Sequence, residues 1–187
     1  MIDENKFFRR ATLHLFSSLE IETALQRLLD YIKTHIPADG VILGMFDFEL
    51  NAGRILAAIF PDTLEKPLDL ISFPPQLWDW FKQKWENNPE TMFINDIETE
   101  APEMKKAVSL ILPENTSHLH MDLELENKRL GTFSLFVKGK HQYNDTHVRL
   151  ISLLHDPLTS AIANLLKHRE ILRLHELLED NNEYLSQ

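Results

Sequence analysis

Apolar and polar residues recur along this chain with two different periods, and the switch between them marks out its elements. Near the start, Phe8, Thr12, Leu15 and Leu19 fall on one face of a helix. A cleaner stripe follows on a second helix, formed by Ile21, Leu25, Leu28, Leu29, Ile32 and Ile36. Ser17 and Ser18 separate the two with capping chemistry, and Pro37-Ala38-Asp39-Gly40 ends the second. From there the pattern becomes strand-like. Residues 41–50 are apolar on both faces, as in a central strand, and Asn51-Ala52-Gly53 turns the chain into residues 54–60 to make a hairpin. A short strand near residues 68–73 stops at Pro74-Pro75, whose second proline is placed to open a helix from Gln76 to about residue 85. Residues 91–94 read as a strand and 102–110 as a short helix. The clearest hairpin joins residues 117–126 to 129–138, turning at Asn127-Lys128. Asn144-Asp145 then caps a last helix with Val148, Ile151, Leu158, Ile162 and Leu165 on its buried side.

That order predicts an α+β domain. An antiparallel sheet lies between a terminal helix pair on one face and shorter helices on the other. The 187 residues suit one domain with a helical extension better than two domains.

Composition narrows the chemistry. A net charge of −10, from 29 acidic against 19 basic residues, opposes direct binding to nucleic-acid backbones. With no cysteine, the chain has no disulfide, thiolate nucleophile, cysteine-ligated metal or thioether-held chromophore. Five isolated glycines make no phosphate loop, and no cofactor is expected. No apolar stretch suits a signal peptide or a membrane span, so the expected location is cytoplasmic.

Five segments carry a family resemblance: residues 19–29, 38–44, 93–97, 130–135 and 143–150. In that order they resemble the lead-in helix, first strand, mid-domain strand end, last strand and last helix of a GAF domain, spanning about residues 6–166. The nearest likeness is to the N-terminal sensory domain of sigma-54-dependent (Fis-family) bacterial transcriptional regulators. The resemblance implies a sensory domain over residues 1–166 that binds a small molecule. It also implies a helical linker over residues 167–187 leading to an output domain beyond Gln187. A sensor of a histidine kinase or of a cyclic-dinucleotide enzyme is the alternative within the same fold. The chain departs from the family in two ways. Pro157 falls inside the last helix, where a kink is expected. The signature of cyclic-nucleotide-binding members is also missing, and the family's methionine-sulfoxide reductases use cysteines that are not here, so the chain is not expected to be an enzyme.

The resemblance places a ligand pocket between the sheet and the short helices. Alternation along a strand puts His118, His120, Asp122 and Glu124 on one face. If Leu119, Met121 and Leu123 pair with Phe133, Leu135 and Val137, then Thr132, Ser134 and Phe136 join the histidine face. His118, His120, Asp122, Thr132 and Ser134 are therefore candidate ligand-binding residues, with Trp78, Phe81 and Phe93 as candidate walls and Asp96 as a candidate gate. Each has a plainer reading. The aromatics are spaced like ordinary core, and Asn95-Asp96 suits a turn. His118-Leu119-His120-Met121-Asp122 also has the spacing of a metal-dependent hydrolase. That pattern, however, requires a further histidine where Leu123 stands, and no metal is expected. In the tail, Ile171, Leu174, Leu178, Asn181 and Leu185 recur at spacings of three and four, the seam of a parallel homodimeric coiled coil. Leu172 and Leu177 lie off that seam and favour a helix folded back on its own domain.

Overall fold

The computed structural model describes residues 2–87 and 91–185, without the side chains of 85–87 and 180–185. Two helices open the chain: α1 Glu4–Leu15, started by the Asp3 carboxylate accepting from the Lys6 N–H, and α2 Ile21–Ile32. Six strands follow, β1 Gly40–Asp47, β2 Ala52–Ile59, β3 Leu70–Ser72, β4 Thr91–Ile94, β5 Thr116–Leu125 and β6 Lys128–Lys138. Between β3 and β4 lies α3 Pro75–Asn87; between β4 and β5 lie a 3-10 turn, Ile97–Thr99, and α4 Pro102–Ser109. The chain closes with α5 Asp145–Ser152 and α6 His155–Leu185. Among the described residues no helix is long and apolar enough to cross a membrane.

The strands form one antiparallel sheet in the order β3-β2-β1-β6-β5-β4. Its two faces bury different things. On one, Val41, Leu43, Leu119, Met121, Phe133 and Leu135 meet α1, α2, α5 and α6 in the main core. On the other, α3 and α4 bring Leu77, Trp78, Phe81 and Ala107 against Ile71 and Phe73, and a smaller cluster gathers around Phe136 and Leu112. The α+β layering expected from the sequence is the one observed.

Local departures have identifiable causes. In α1 the core face is Phe7, Ala11 and Leu15, while Phe8 is 41% exposed and Leu19 lies beyond the helix in solvent. Phe7 is chosen because its ring packs against Tyr31 and His35 of the neighbouring α2 segment. The β5–β6 hairpin turns one residue earlier than predicted. Leu125 pairs with Lys128, and the two loop residues, Glu126 and Asn127, both have positive φ (50° and 60°). That is the backbone of a type I′ turn, whose twist matches the flanking strands. In the β1–β2 hairpin Ala52 and Gly53 already belong to β2, and Asn51 takes the positive φ.

The last helix is broken rather than kinked. Asn144 caps α5 by accepting from the Thr146 and His147 N–H groups, as expected. The helix is interrupted at Leu153-Leu154, although Leu153 keeps right-handed helical dihedrals (φ −61°, ψ −24°), and resumes at His155, so Pro157 sits in the first turn of α6. There its missing N–H has no intrahelical acceptor to lose.

Asn95 ties the strand layer to the α5 entry. Its Nδ2 donates to the Tyr143 carbonyl at 2.7 Å, its Oδ1 accepts from the Tyr143 N–H at 2.9 Å, and its own carbonyl accepts from the His141 N–H at 3.1 Å. Truncating the side chain strands a donor and an acceptor in a half-buried place. Asn95→Ala is therefore expected to cost about 2 kcal/mol, read as a fall in melting temperature of roughly 4–8 °C by circular dichroism. An unchanged melting curve would show that water replaces the clasp without loss.

Candidate functional site

The register of the central hairpin builds the site. His120 pairs with Ser134 and Asp122 with Thr132, while the next strand in the sheet sets Ile42 beside Ser134 and Gly44 beside Thr132. Side chains alternate across a sheet, so His118, His120, Asp122, Thr132 and Ser134 all point away from the main core. They line a cavity of about 210 Å³ between the sheet and α3 and α4. Its remaining walls are mostly apolar: Phe46, Ile55, Ile71, Phe73, Phe81 and Met104 contribute, as do Met92 and Ile94 of β4.

The polar side chains form a connected strip. His120 Nε2 lies 3.2 Å from Asp122 Oδ1 and His120 Nδ1 lies 3.0 Å from Ser134 Oγ. A carboxylate accepts, so Nε2 carries the proton; in the neutral ring Nδ1 then accepts from the Ser134 hydroxyl. Asp122 also pairs with Arg129 across 3.7 Å. His118 sits edge-on to His120 with ring centroids 5.8 Å apart, and its buried Nδ1 has no hydrogen-bond partner. Burial, reinforced by the neighbouring His120, pushes the His118 pKa down from 6.5 to about 3. The ring is neutral at physiological pH.

The candidate walls divide. Phe81 lines the cavity. Trp78 is buried one layer behind it, packed on Phe46, Phe48 and Phe73. Phe93 faces the opposite way. It pairs with Leu119 on the main-core side, and its neighbours Met92 and Ile94, opposite His120 and His118, reach the cavity instead. Asp96 neither caps nor gates the cavity: its carboxylate accepts from the Glu98 N–H to start the 3-10 turn and pairs with Lys140 at 2.9 Å. The hydrogen bonds from Lys140 and the Glu98 N–H hold that carboxyl below the usual range. Glu124 lies beyond the β5 bulge, where its N–H donates to His155 Nε2 at 3.4 Å.

Among the described residues, no group of three or more His, Cys, Asp or Glu side chains is arranged to hold a metal ion. Both nitrogens of His120 are engaged by protein partners.

Cations stand at the cavity as well, and the sequence pattern gave no hint of them. Arg54 of β2 is paired with Asp47 at 3.0 Å, and the Lys84 ammonium lies 4.9 Å from the Trp80 ring centroid. The signal for the missed residues of β4 was its pairing partner: once Phe93 meets Leu119, alternation commits Met92 and Ile94 to the cavity.

A six-stranded antiparallel sheet with this order, terminal helices on one face and a cavity under short helices on the other, matches solved structures over nearly its whole length. One is the GAF domain of an Acinetobacter phosphoenolpyruvate-protein phosphotransferase, with a TM-score of 0.63 at 11% identity over 91% of this chain and 99% of that one. The fold is that of a GAF domain. A far-red-absorbing protein with bound biliverdin IXa matches this GAF fold with a TM-score of 0.67 at 14% identity, over 85% and 98% of the two chains. The free methionine-R-sulfoxide reductase of Neisseria meningitidis, in complex with its substrate, matches at 0.61 and 12% identity, over 88% and 91%. No protein-family model matches the sequence, and no curated protein does either.

Proposed function

We propose that this chain is a non-catalytic sensory GAF domain that binds a small molecule in the cavity between its sheet and α3 and α4. One observation carries the reading: a continuous hydrogen-bonded strip, Ser134–His120–Asp122, is laid along the floor of a cavity whose walls are mostly apolar. Small-molecule sites combine an apolar wall with a few placed polar groups in this way. A ligand that binds only the native state raises the melting temperature by mass action. Screening metabolites by thermal shift should therefore find a stabilising compound, and His120→Phe should abolish its effect while keeping the fold. A full ligand response in that variant would remove the histidine strip from the site.

The domain would report ligand through α6 to an output domain, with residues 1–166 as sensor and 167–187 as linker. The proposed setting is a sigma-54-dependent transcriptional regulator, and a histidine kinase or cyclic-dinucleotide enzyme is the alternative. Supporting the linker role, α6 leaves the domain as an uninterrupted helix on which residues 171–179 are all exposed. Leu172 and Leu177 are exposed with Ile171, Leu174 and Leu178, so the helix is not folded back on its own domain. The side chains of Asn181 and Leu185 lie outside the described residues. We infer that the exposed leucines pair with a second copy in a parallel coiled coil. Sedimentation of the whole chain should show a dimer that Leu174→Glu with Leu178→Glu converts to monomer. A monomeric wild type, or a dimer in the double variant, would exclude the seam.

A further inference from the structure

Resting on the reading of the cavity as a ligand site, we infer the class of its occupant: a planar aromatic molecule of one or two rings carrying an N–H or O–H donor and no anionic group. Three observations converge on this class. The first is size. An engineered cavity of about 150 Å³ holds benzene, and the cavity here measures about 210 Å³. The increment admits a substituent or a second fused ring.

The second is the shape and nature of the wall. Phe46, Phe73 and Phe81 all face the cavity, with Phe46–Phe73 and Phe46–Phe81 centroids 6.5 and 6.3 Å apart and Phe73–Phe81 at 5.4 Å. An aromatic guest completes such a cluster edge-on or offset, the geometry that rings prefer. These side chains hang from β1, the β3 end and α3, whereas the polar strip runs along β5 and β6. Adjacent strands are about 4.8 Å apart. A ring among the phenylalanines therefore projects its substituent towards the strip, roughly one or two strand spacings away.

The third is the balance of hydrogen-bonding capacity. The strip consumes its own donors: the Ser134 hydroxyl goes to His120 Nδ1, and the His120 Nε2 proton goes to Asp122. Acceptors remain. A carboxylate offers about four lone-pair sites and a hydroxyl oxygen two, more than these partners fill. Asp122, 8% exposed, is answered by Arg129 across 3.7 Å, and the pair presents no net positive charge to a carboxylate or phosphate guest. Of the other cations at the wall, Arg54 is paired with Asp47, and the Lys84 ammonium is held 4.9 Å from the Trp80 ring centroid.

The test uses the whole chain and three probes of one shape: indole, indene (the same frame without the N–H) and indole-3-carboxylate. Binding is followed by isothermal titration and by two-dimensional NMR shifts of the Thr132 and Ser134 amides. Indole should bind saturably, and indene and the carboxylate each at least tenfold more weakly. Ala107→Phe, which fills the cavity from α4, should lose all three. Equal or tighter binding of the carboxylate, or of indene, would overturn the donor class while leaving the cavity a ligand site. Saturable binding that survives Ala107→Phe, or no binding of any probe, would overturn the proposal itself. The two failures stay distinct: a metabolite hit lost in His120→Phe keeps the cavity reading when indole fails, and without such a hit both readings fall.

Discussion

Gly131→Val is expected to lower the stability of the domain by about 3 kcal/mol, a loss of roughly 6–12 °C in melting temperature for a chain of this size. Gly131 lies where β6 crosses between β1 and α6. A Cβ placed there would stand 2.3 Å from the Gly44 carbonyl oxygen and 2.4 Å from Ile162 Cδ1. The isoleucine tip can swing aside, but the carbonyl belongs to the sheet and cannot. Gly44 makes the useful comparison, because its nearest neighbours to an added Cβ are at 3.3 and 3.4 Å and one is the Thr132 hydroxyl. Gly44→Ala should therefore cost under about 1 kcal/mol. Calorimetric melts of both variants check the pair. Equal stability of Gly131→Val and the wild type would show that β6 does not pass the Gly44 carbonyl as closely as described.

Acidification should destabilise the protein well before its carboxylates are protonated, and His118 should be the largest histidine contribution. Its native pKa is depressed from 6.5 to about 3 by burial and by His120, whereas the unfolded chain takes up the proton near the ordinary value. Between those values the unfolded state holds one more proton than the native state, so stability falls as pH falls. Above pH 6.5 this contribution is flat. Within the window the limiting slope is about 1.4 kcal/mol per pH unit, or on the order of 2–3 kcal/mol by pH 4.5. His147, also lowered by burial, adds a dependence of the same sign. Urea denaturation from pH 4 to 8 should show the fall in the wild type and a clearly shallower one in His118→Asn. Parallel profiles would mean that His118 is protonated in the native protein.

The elements are legible in the sequence where one face of a strand or helix is committed to the core. The alternation Leu119, Met121, Leu123 against His118, His120, Asp122 fixes both the register of the hairpin and the polar strip, because slipping by one residue would bury the histidines in the main core. Where two adjacent residues compete, the pattern is silent. Phe7 and Phe8 serve α1 equally well on paper, and the choice falls to Phe7, whose ring packs against Tyr31 and His35. Pro157 shows the limit of a local rule. Inside an unbroken helix it would kink the chain, but a break at Leu153-Leu154 moves it into a first turn, where proline is at ease. The site is harder to read because its lining comes from all six strands and from α3 and α4. Alternation along β5 exposes the histidines, but the facing of Phe93 depends on β4 pairing in register with β5. The roles of Trp78 and Phe81 depend on where α3 lands.

One contact between distant parts of the chain bears on how the protein avoids a different fate. Arg169 of α6 donates from Nη2 to the Leu56 carbonyl at 2.9 Å. The three residues of β3 pair with Ala52, Gly53 and Arg54 only, so the outer rim of β2 from Leu56 onward has no strand partner among the described residues. An open rim of backbone donors and acceptors is a template on which another chain's strand can lay itself. The guanidinium occupies an acceptor of that rim and sets a charged side chain across it. The outgoing helix is therefore expected to hinder another strand from pairing there. A fragment cut just before Arg169 would retain every residue of the sheet and still lose the group that keeps its edge from sticking.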